Sequence, residues 1–231
     1  MKTLLKISFF ALFILGCNNS QPEKHLFILS GQSNMAGLDL TTSFIPTIET
    51  KFGKENVTFV KHAIGGRPIR QWFVDSLVGT EQRPRLYDSL MVRVRVSITG
   101  KIFASISFFW MQGERDAREQ LGHIYKANLM GLYNQLSSDL NRDDINFIIG
   151  RLSDFDMQNE RYKDWTKIRA IQLEIANSNV RFEWINTDDL NDGLNKRGDT
   201  ISNDLHMSVE GYKTMGQRFA DKAITLIERH P

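Results

Sequence analysis

Short apolar or β-branched runs recur along the chain at residues 26–29, 57–60, 102–110, 145–149 and 180–185. Between them lie longer stretches in which apolar side chains return at helical spacing, such as Ile124, Leu129, Leu132 and Leu136, or Ile168, Ile171 and Ile175. Near-continuous apolar runs suit strands buried on both faces, and strands joined through helices run parallel. The pattern therefore predicts an α/β fold, a three-layer sandwich of about five parallel strands with helices on both faces. A last amphipathic helix is expected over about residues 209–228. No internal repeat, low-complexity tract or second domain interrupts the alternation, so residues 25–231 read as one domain.

The first residues follow a different pattern. Lys2 and Lys6 precede an apolar run over residues 7–15, which ends at Gly16 and at Cys17, the only cysteine of the chain. A basic start, a short apolar core and a small residue describe an export signal, here residues 1–16. The run is too short to span a bilayer as a mature anchor. Ile14-Leu15-Gly16-Cys17 resembles the lipobox of bacterial lipoproteins. That resemblance implies a lipidated Cys17 as the mature N-terminus, a polar tether over residues 17–24, and a lipid-anchored protein of the bacterial cell envelope. The alternative is an ordinary cleaved signal beside a chance cysteine. In either case the mature body lacks further cysteines, which excludes disulfides and thiolate metal sites within it.

Composition narrows the function classes. The 231 residues are 41% hydrophobic and 24% charged with a formal net charge of +2, and basic side chains are scattered among acidic ones. Nucleic-acid binding would require a basic face or stripe, and none is present in the pattern. Asp188, Asp189 and Asp192 lack the Gly and Glu spacing of a calcium loop and read as a solvated turn. Phe108-Phe109-Trp110 continues an apolar strand and reads as core.

The chemistry-bearing residues fall just after the predicted strands. Ser33 follows the first, in Gly31-Gln32-Ser33-Asn34-Met35; Gly65-Gly66 follow the second; Gln112-Gly113-Glu114 follow the third; His206 precedes the last helix. Parallel α/β sheets collect ligands at that carboxyl edge. Ser33 is the candidate nucleophile, although a serine at a helix start also suits a helix cap. Gly65-Gly66 could equally be a plain strand-to-helix turn. Of the five histidines, His25 precedes the first strand at the opposite edge, His123 rides a helix and His230 is terminal. His206 is the preferred base, and His62, at the end of the second strand, is the runner-up.

Four blocks in order carry a resemblance over nearly the whole mature chain: Gly31-Gln32-Ser33-Asn34-Met35, Ile64-Gly65-Gly66-Arg67-Pro68-Ile69-Arg70-Gln71-Trp72, Trp110-Met111-Gln112-Gly113-Glu114-Arg115-Asp116-Ala117, and Asp204-Leu205-His206-Met207-Ser208. Trp165 with Arg169-Ala-Ile-Gln172 fits the helix before the last strand. The chain resembles the SGNH hydrolases, and among them the carbohydrate esterases that include sialate O-acetylesterases and acetyl xylan esterases. The resemblance implies a flavodoxin-like arrangement, Ser33 as nucleophile, His206 as base, and an oxyanion hole of the Ser33 N–H, the Gly65 N–H and the Gln112 side-chain amide. It implies no cofactor and no metal.

The pattern departs from the family at one position. Where the family places an Asp three residues before the histidine, this chain has Asn203, with Asp204 one position later. Glu114 is the preferred substitute for orienting His206, Asp204 the next candidate; Glu114 could instead be a carboxylate that bonds loop backbone. Arg67 and Arg70 offer planar forks for a substrate carboxylate, which would favour an acidic sugar; pairing with Asp75 or Glu81 on a solvated face is the plainer reading. The expected activity is removal of O-acetyl groups from a carbohydrate such as a sialate or a polysaccharide through an acyl-enzyme. The rival is a glycan-binding lipoprotein on the same fold whose catalysis is weak or lost.

Overall fold

The computed structural model describes residues 23–73 and 85–230. Cys17, the export signal and most of the tether lie outside the described residues, as do Asp75 and Glu81.

The five predicted strands form one parallel sheet: β1 (His25–Gly31), β2 (Val57–Ala63), β3 (Ser105–Met111), β4 (Asn146–Gly150) and β5 (Phe182–Ile185), in the order β2-β1-β3-β4-β5. This is the flavodoxin-like order, and its switch point lies at β1, which pairs with β2 on one side and β3 on the other. Every residue of β1 is buried. Its alternation divides the core in two: Leu26 and Ile28 face one layer, Phe27 and Leu29 the other.

The first layer holds α3 (Arg85–Ile98), α5 (Gly122–Leu140) and α6 (Trp165–Ala176), which bury Leu90, Leu132 and Ile168 against the sheet. The second holds α1 (Ser33–Gly37), α2 (Phe44–Phe52) and the last helix, α7 (Val209–Arg229), which buries Met215, Phe219 and Leu226. A fully buried side chain of this size contributes roughly 1.5–3 kcal/mol, so each layer is held chiefly by its apolar face. The remaining short helix, α4 (Glu114–Arg118), follows β3. Ser208 caps α7 by accepting the Gly211 N–H at 3.0 Å.

Some predicted boundaries shift. Ile102 and Val180 stand 91% and 71% exposed outside β3 and β5, because the sheet takes only residues whose neighbours on both sides are covered. Ile124 is also exposed, and Tyr125 takes the inward position on α5. Two short strands, β6 (Gly193–Leu194) and β7 (Thr200–Ile201), form an antiparallel hairpin that the apolar pattern does not announce. The acidic run before it is not simply a solvated turn. Asp188 pairs with Arg151 and Arg169, Asp189 with Arg218, and Asp192 accepts the backbone N–H of Asn203. Phe108, Phe109 and Trp110 are fully buried core. Among the described residues, no helix is long and apolar enough to cross a membrane.

Candidate active site

The site begins where β1 stops. Gly31 has φ +145°, and a Cβ there would stand 2.0 Å from the Met111 carbonyl oxygen, so only glycine lets the chain turn so close over the end of β3. Gln32 then donates its N–H to that same oxygen at 2.9 Å. Ser33 emerges half-buried as the first residue of α1. The cap position belongs to Gln32, which makes no side-chain cap bond, so helix capping does not explain Ser33. With five residues, α1 carries too few aligned peptides to supply much of a positive helix end.

The loop after β2 lies against this turn. Ile64 donates to the Gly31 carbonyl at 3.1 Å, and a Cβ on Gly65 would meet the Ser33 Cβ at 3.6 Å. The missing side chain of Gly65 thus leaves the approach to Ser33 open. Gln112, fully buried at the end of β3, completes the cluster. Its backbone carbonyl is pinned by the Tyr125 hydroxyl at 2.7 Å and the Gln172 amide at 2.9 Å. Its side-chain amide donates to the Asp116 carboxylate and lies 3.2 Å from the Arg67 carbonyl and 3.3 Å from Gln32 Oε1. Ser33, Gly65 and Gln112 are therefore brought together at the carboxyl edge.

Glu114 is 1% exposed and does not reach His206. Its Oε1 accepts from Asn34 Nδ2 at 2.9 Å, while its Oε2 is buried without a partner among the described residues. Burial pushes its carboxyl up to about 7, against the pull of the Asn34 bond. Asp116 is likewise raised by burial, to about 6. Among the described residues, Glu114 makes no bond to His206. The carboxylate beside the ring is Asp204, whose Oδ1 stands 3.8 Å from His206 Nδ1 and accepts the His206 backbone N–H at 2.8 Å. Asn203 has a left-handed φ of 46°, and its side chain meets Asn191 rather than the ring.

Asn34, next to the nucleophile candidate, is the residue whose connecting role the motif reading missed. Besides holding Glu114, its amide donates to the Leu205 carbonyl at 3.1 Å and its oxygen accepts from the Tyr212 hydroxyl at 3.1 Å. It thereby ties the Ser33 turn to the residue before His206. Among the described residues, Ser33 and His206 do not bond each other directly; such contacts commonly tighten only with substrate bound. His206 lines a cleft of about 300 Å³ with Asp204, Tyr212, Lys196 and Arg197. A larger cleft of about 490 Å³, along Trp184, Arg218 and Lys222, holds none of the candidate groups.

The remaining candidates separate. His62 lies on the edge strand, and burial, reinforced by Arg93, holds its imidazole below the usual range. Arg70 pairs with Glu119 at 2.6 Å, and Arg115 shares the same carboxylate. Arg67 is exposed, and among the described residues it makes no ion pair.

Sequence comparison adds a match over residues 37–225 to the family described as carbohydrate esterase, sialic acid-specific acetylesterase. The chain belongs to this family. It is accordingly a carbohydrate esterase that removes O-acetyl groups. The family match begins just after the Ser33 block. Among solved structures, a protein from Arabidopsis thaliana is similar at 20% identity and TM-score 0.65, covering 88% of this chain and 99% of its own. A carbohydrate acetylesterase from Xanthomonas citri has 14% identity and TM-score 0.65 over 89% of this chain, which spans 57% of that protein. A family 3 carbohydrate esterase from Clostridium thermocellum has 14% identity and TM-score 0.55, covering 89% and 98%. At these identities the neighbours establish the fold that the sialic acid-specific acetylesterase family shares with them. No curated protein matches the chain.

Proposed function

We propose that this carbohydrate esterase works as a serine hydrolase. The Ser33 hydroxyl attacks the acetyl carbonyl while His206 takes its proton. The Ser33 and Gly65 N–H groups and the Gln112 amide receive the developing oxyanion. His206 then protonates the departing sugar hydroxyl, and water releases acetate from the acyl-enzyme with the same histidine as base. Asp204 is the carboxylate that steadies the ring from the Nδ1 side, leaving Nε2 for the serine.

The observation that supports this reading is the bond from Asn34, the residue after Ser33, to the carbonyl of Leu205, the residue before His206. The test is acetate release from a panel of acetylated glycans by the purified protein, with Ser33→Ala as the blank. Loss of release in the variant supports the assignment, and unchanged release overturns it. The open Ser33–His206 contact favours a second reading, a glycan binder with little turnover. Binding without acetate release from any substrate would select it.

Two finer proposals accompany this. Arg67, exposed just past the Gly65-Gly66 turn, is the guanidinium that would meet a substrate carboxylate and favour an acidic sugar. Cys17 carries the lipid that anchors the chain in the bacterial envelope. Cys17→Ser should release the protein from the membrane fraction, and continued sedimentation would refute the anchor.

A further inference from the structure

An amide side chain is a useful oxyanion donor only when its nitrogen, not its oxygen, faces the substrate. In Gln112 the two ends have different surroundings. Its Oε1 is buried with no partner among the described residues, while its Nε2 stands among three acceptors: Asp116 Oδ2, the Arg67 carbonyl at 3.2 Å and Gln32 Oε1 at 3.3 Å. The amide has only two hydrogens to share among them. The bond to the carboxylate is the short, charge-assisted one, and the other two contacts are long. The first hydrogen is therefore committed to Asp116, and the second is weakly held.

We propose that Asp116 is a positioning residue that fixes the polarity of the Gln112 amide, so that its second N–H is available to the oxyanion. A carboxylate offers only acceptors at this spot, so a reversed Gln112 would set oxygen against oxygen. Asp116 is itself fully buried and held in place, because the same Oδ2 accepts the backbone N–H of Ile69 at 2.9 Å. That second bond seats the segment that follows Gly65-Gly66 against α4, the helix carrying Asp116. Without Asp116, only the two long contacts, to the Arg67 carbonyl at 3.2 Å and Gln32 Oε1 at 3.3 Å, would still favour nitrogen on that side. The carboxylate thus does for the amide what an orienting acid does for an imidazole.

The inference rests on reading Gln112 as an oxyanion donor, and a double-mutant cycle tests the two separately. Gln112→Ala should lower kcat about a hundredfold, the usual cost of removing one such donor, with KM little changed. If Gln112→Ala leaves kcat intact, the oxyanion reading falls and the inference falls with it. Asp116→Ala should lower kcat by roughly tenfold to a hundredfold, again without raising KM. In the Gln112→Ala background, the same change should cost less than about threefold, because its effect passes through the missing amide. Equal losses in both backgrounds would overturn the positioning role while leaving the donor role of Gln112 intact. Asp116→Asn keeps one oxygen that can accept from both Gln112 and Ile69, and should recover most of kcat; an Asn variant as slow as the Ala variant would also overturn it. Should Asp116→Ala not fold, the native protein still decides. In its 1H–15N spectrum, the Gln112 side-chain amide, assigned by its disappearance in Gln112→Ala, should show one proton well downfield of the other. Two ordinary amide resonances would refute the proposal.

Discussion

The two halves of the site are held very differently. The nucleophile half, from Gly31 to Asn34 with Gln112 and Glu114, is almost entirely buried and tied by hydrogen bonds to β3, α5 and α6. The half that brings the base is a loop at the surface: the His206 and Asp204 side chains are 48% and 43% exposed and face each other at 3.8 Å. The first half is built like a core and the second like a contact. On the proposed roles, the contrast teaches that the oxyanion donors are preorganised while the proton carrier is left free to adjust when a substrate arrives. Asn34 is the principal link between them.

Ser33→Ala should separate the halves most strongly, lowering kcat/KM by about a thousandfold or more while the melting temperature stays near that of the parent. Full activity in that variant would remove the nucleophile from the buried half. Asn34→Ala cuts the link and leaves the Glu114 oxygen and the Leu205 carbonyl unpaired. Such losses cost roughly 1–3 kcal/mol each, so both stability and activity should fall, the latter by tenfold or more. If activity survives while stability drops, the link is architectural only.

Asp204→Asn should lower kcat about tenfold, less than the loss seen when a buried triad carboxylate is neutralised, because solvent screens a half-exposed pair. If Glu114→Gln proves the slower of the two variants, the orienting role returns to the buried half. For stability the ranking inverts. Burial raises Glu114 from 4.5 to about 7, so the folded protein holds this proton more tightly than the unfolded chain does. Its contribution is full below pH 4.5 and is lost as the pH rises through about 7. Glu114→Gln should flatten the decline in melting temperature over that window. Asp116, raised from 3.8 to about 6, keeps its own share of the slope at lower pH. An unchanged slope would mean that Glu114 is ionised in the folded state. The smallest effect is expected at Arg67, where Ala should reduce kcat/KM a fewfold on an acetylated acidic sugar and not on a neutral one. Equal effects on both would leave the sugar class open.

Legibility in the sequence divides along the same line as the site. The strands, the two helical layers and the positions of Ser33, Gly65 and Gln112 follow from apolar runs ending in Gly-containing turns, since burial on both faces leaves a plain mark on composition. The boundary errors at Ile102 and Val180 arise because an apolar residue in a loop carries the same mark as one in a strand. The strands of the β6–β7 hairpin have two residues each, too few for periodicity to mark them. Sequence favours Glu114 over Asp204 for orienting His206, because its block ends the third strand; side-chain direction, which sequence does not carry, sets Asp204 beside the ring. Asn34 stood in a quoted motif all along. Its three partners are distant in the chain, and nothing local signals such a role.

The bond from Asn34 to Leu205 spans 171 positions. It cannot close until all five strands of the parallel sheet have been made, because Leu205 follows them all in the chain. Strand β1 is made first and the other four strands of the sheet follow, whereas the loop carrying His206 comes after all of them. A nascent chain halted before Leu205 would carry Ser33, Gly65 and Gln112 without His206. If His206 is the base, ending the chain before Leu205 should silence the enzyme even where the sheet survives.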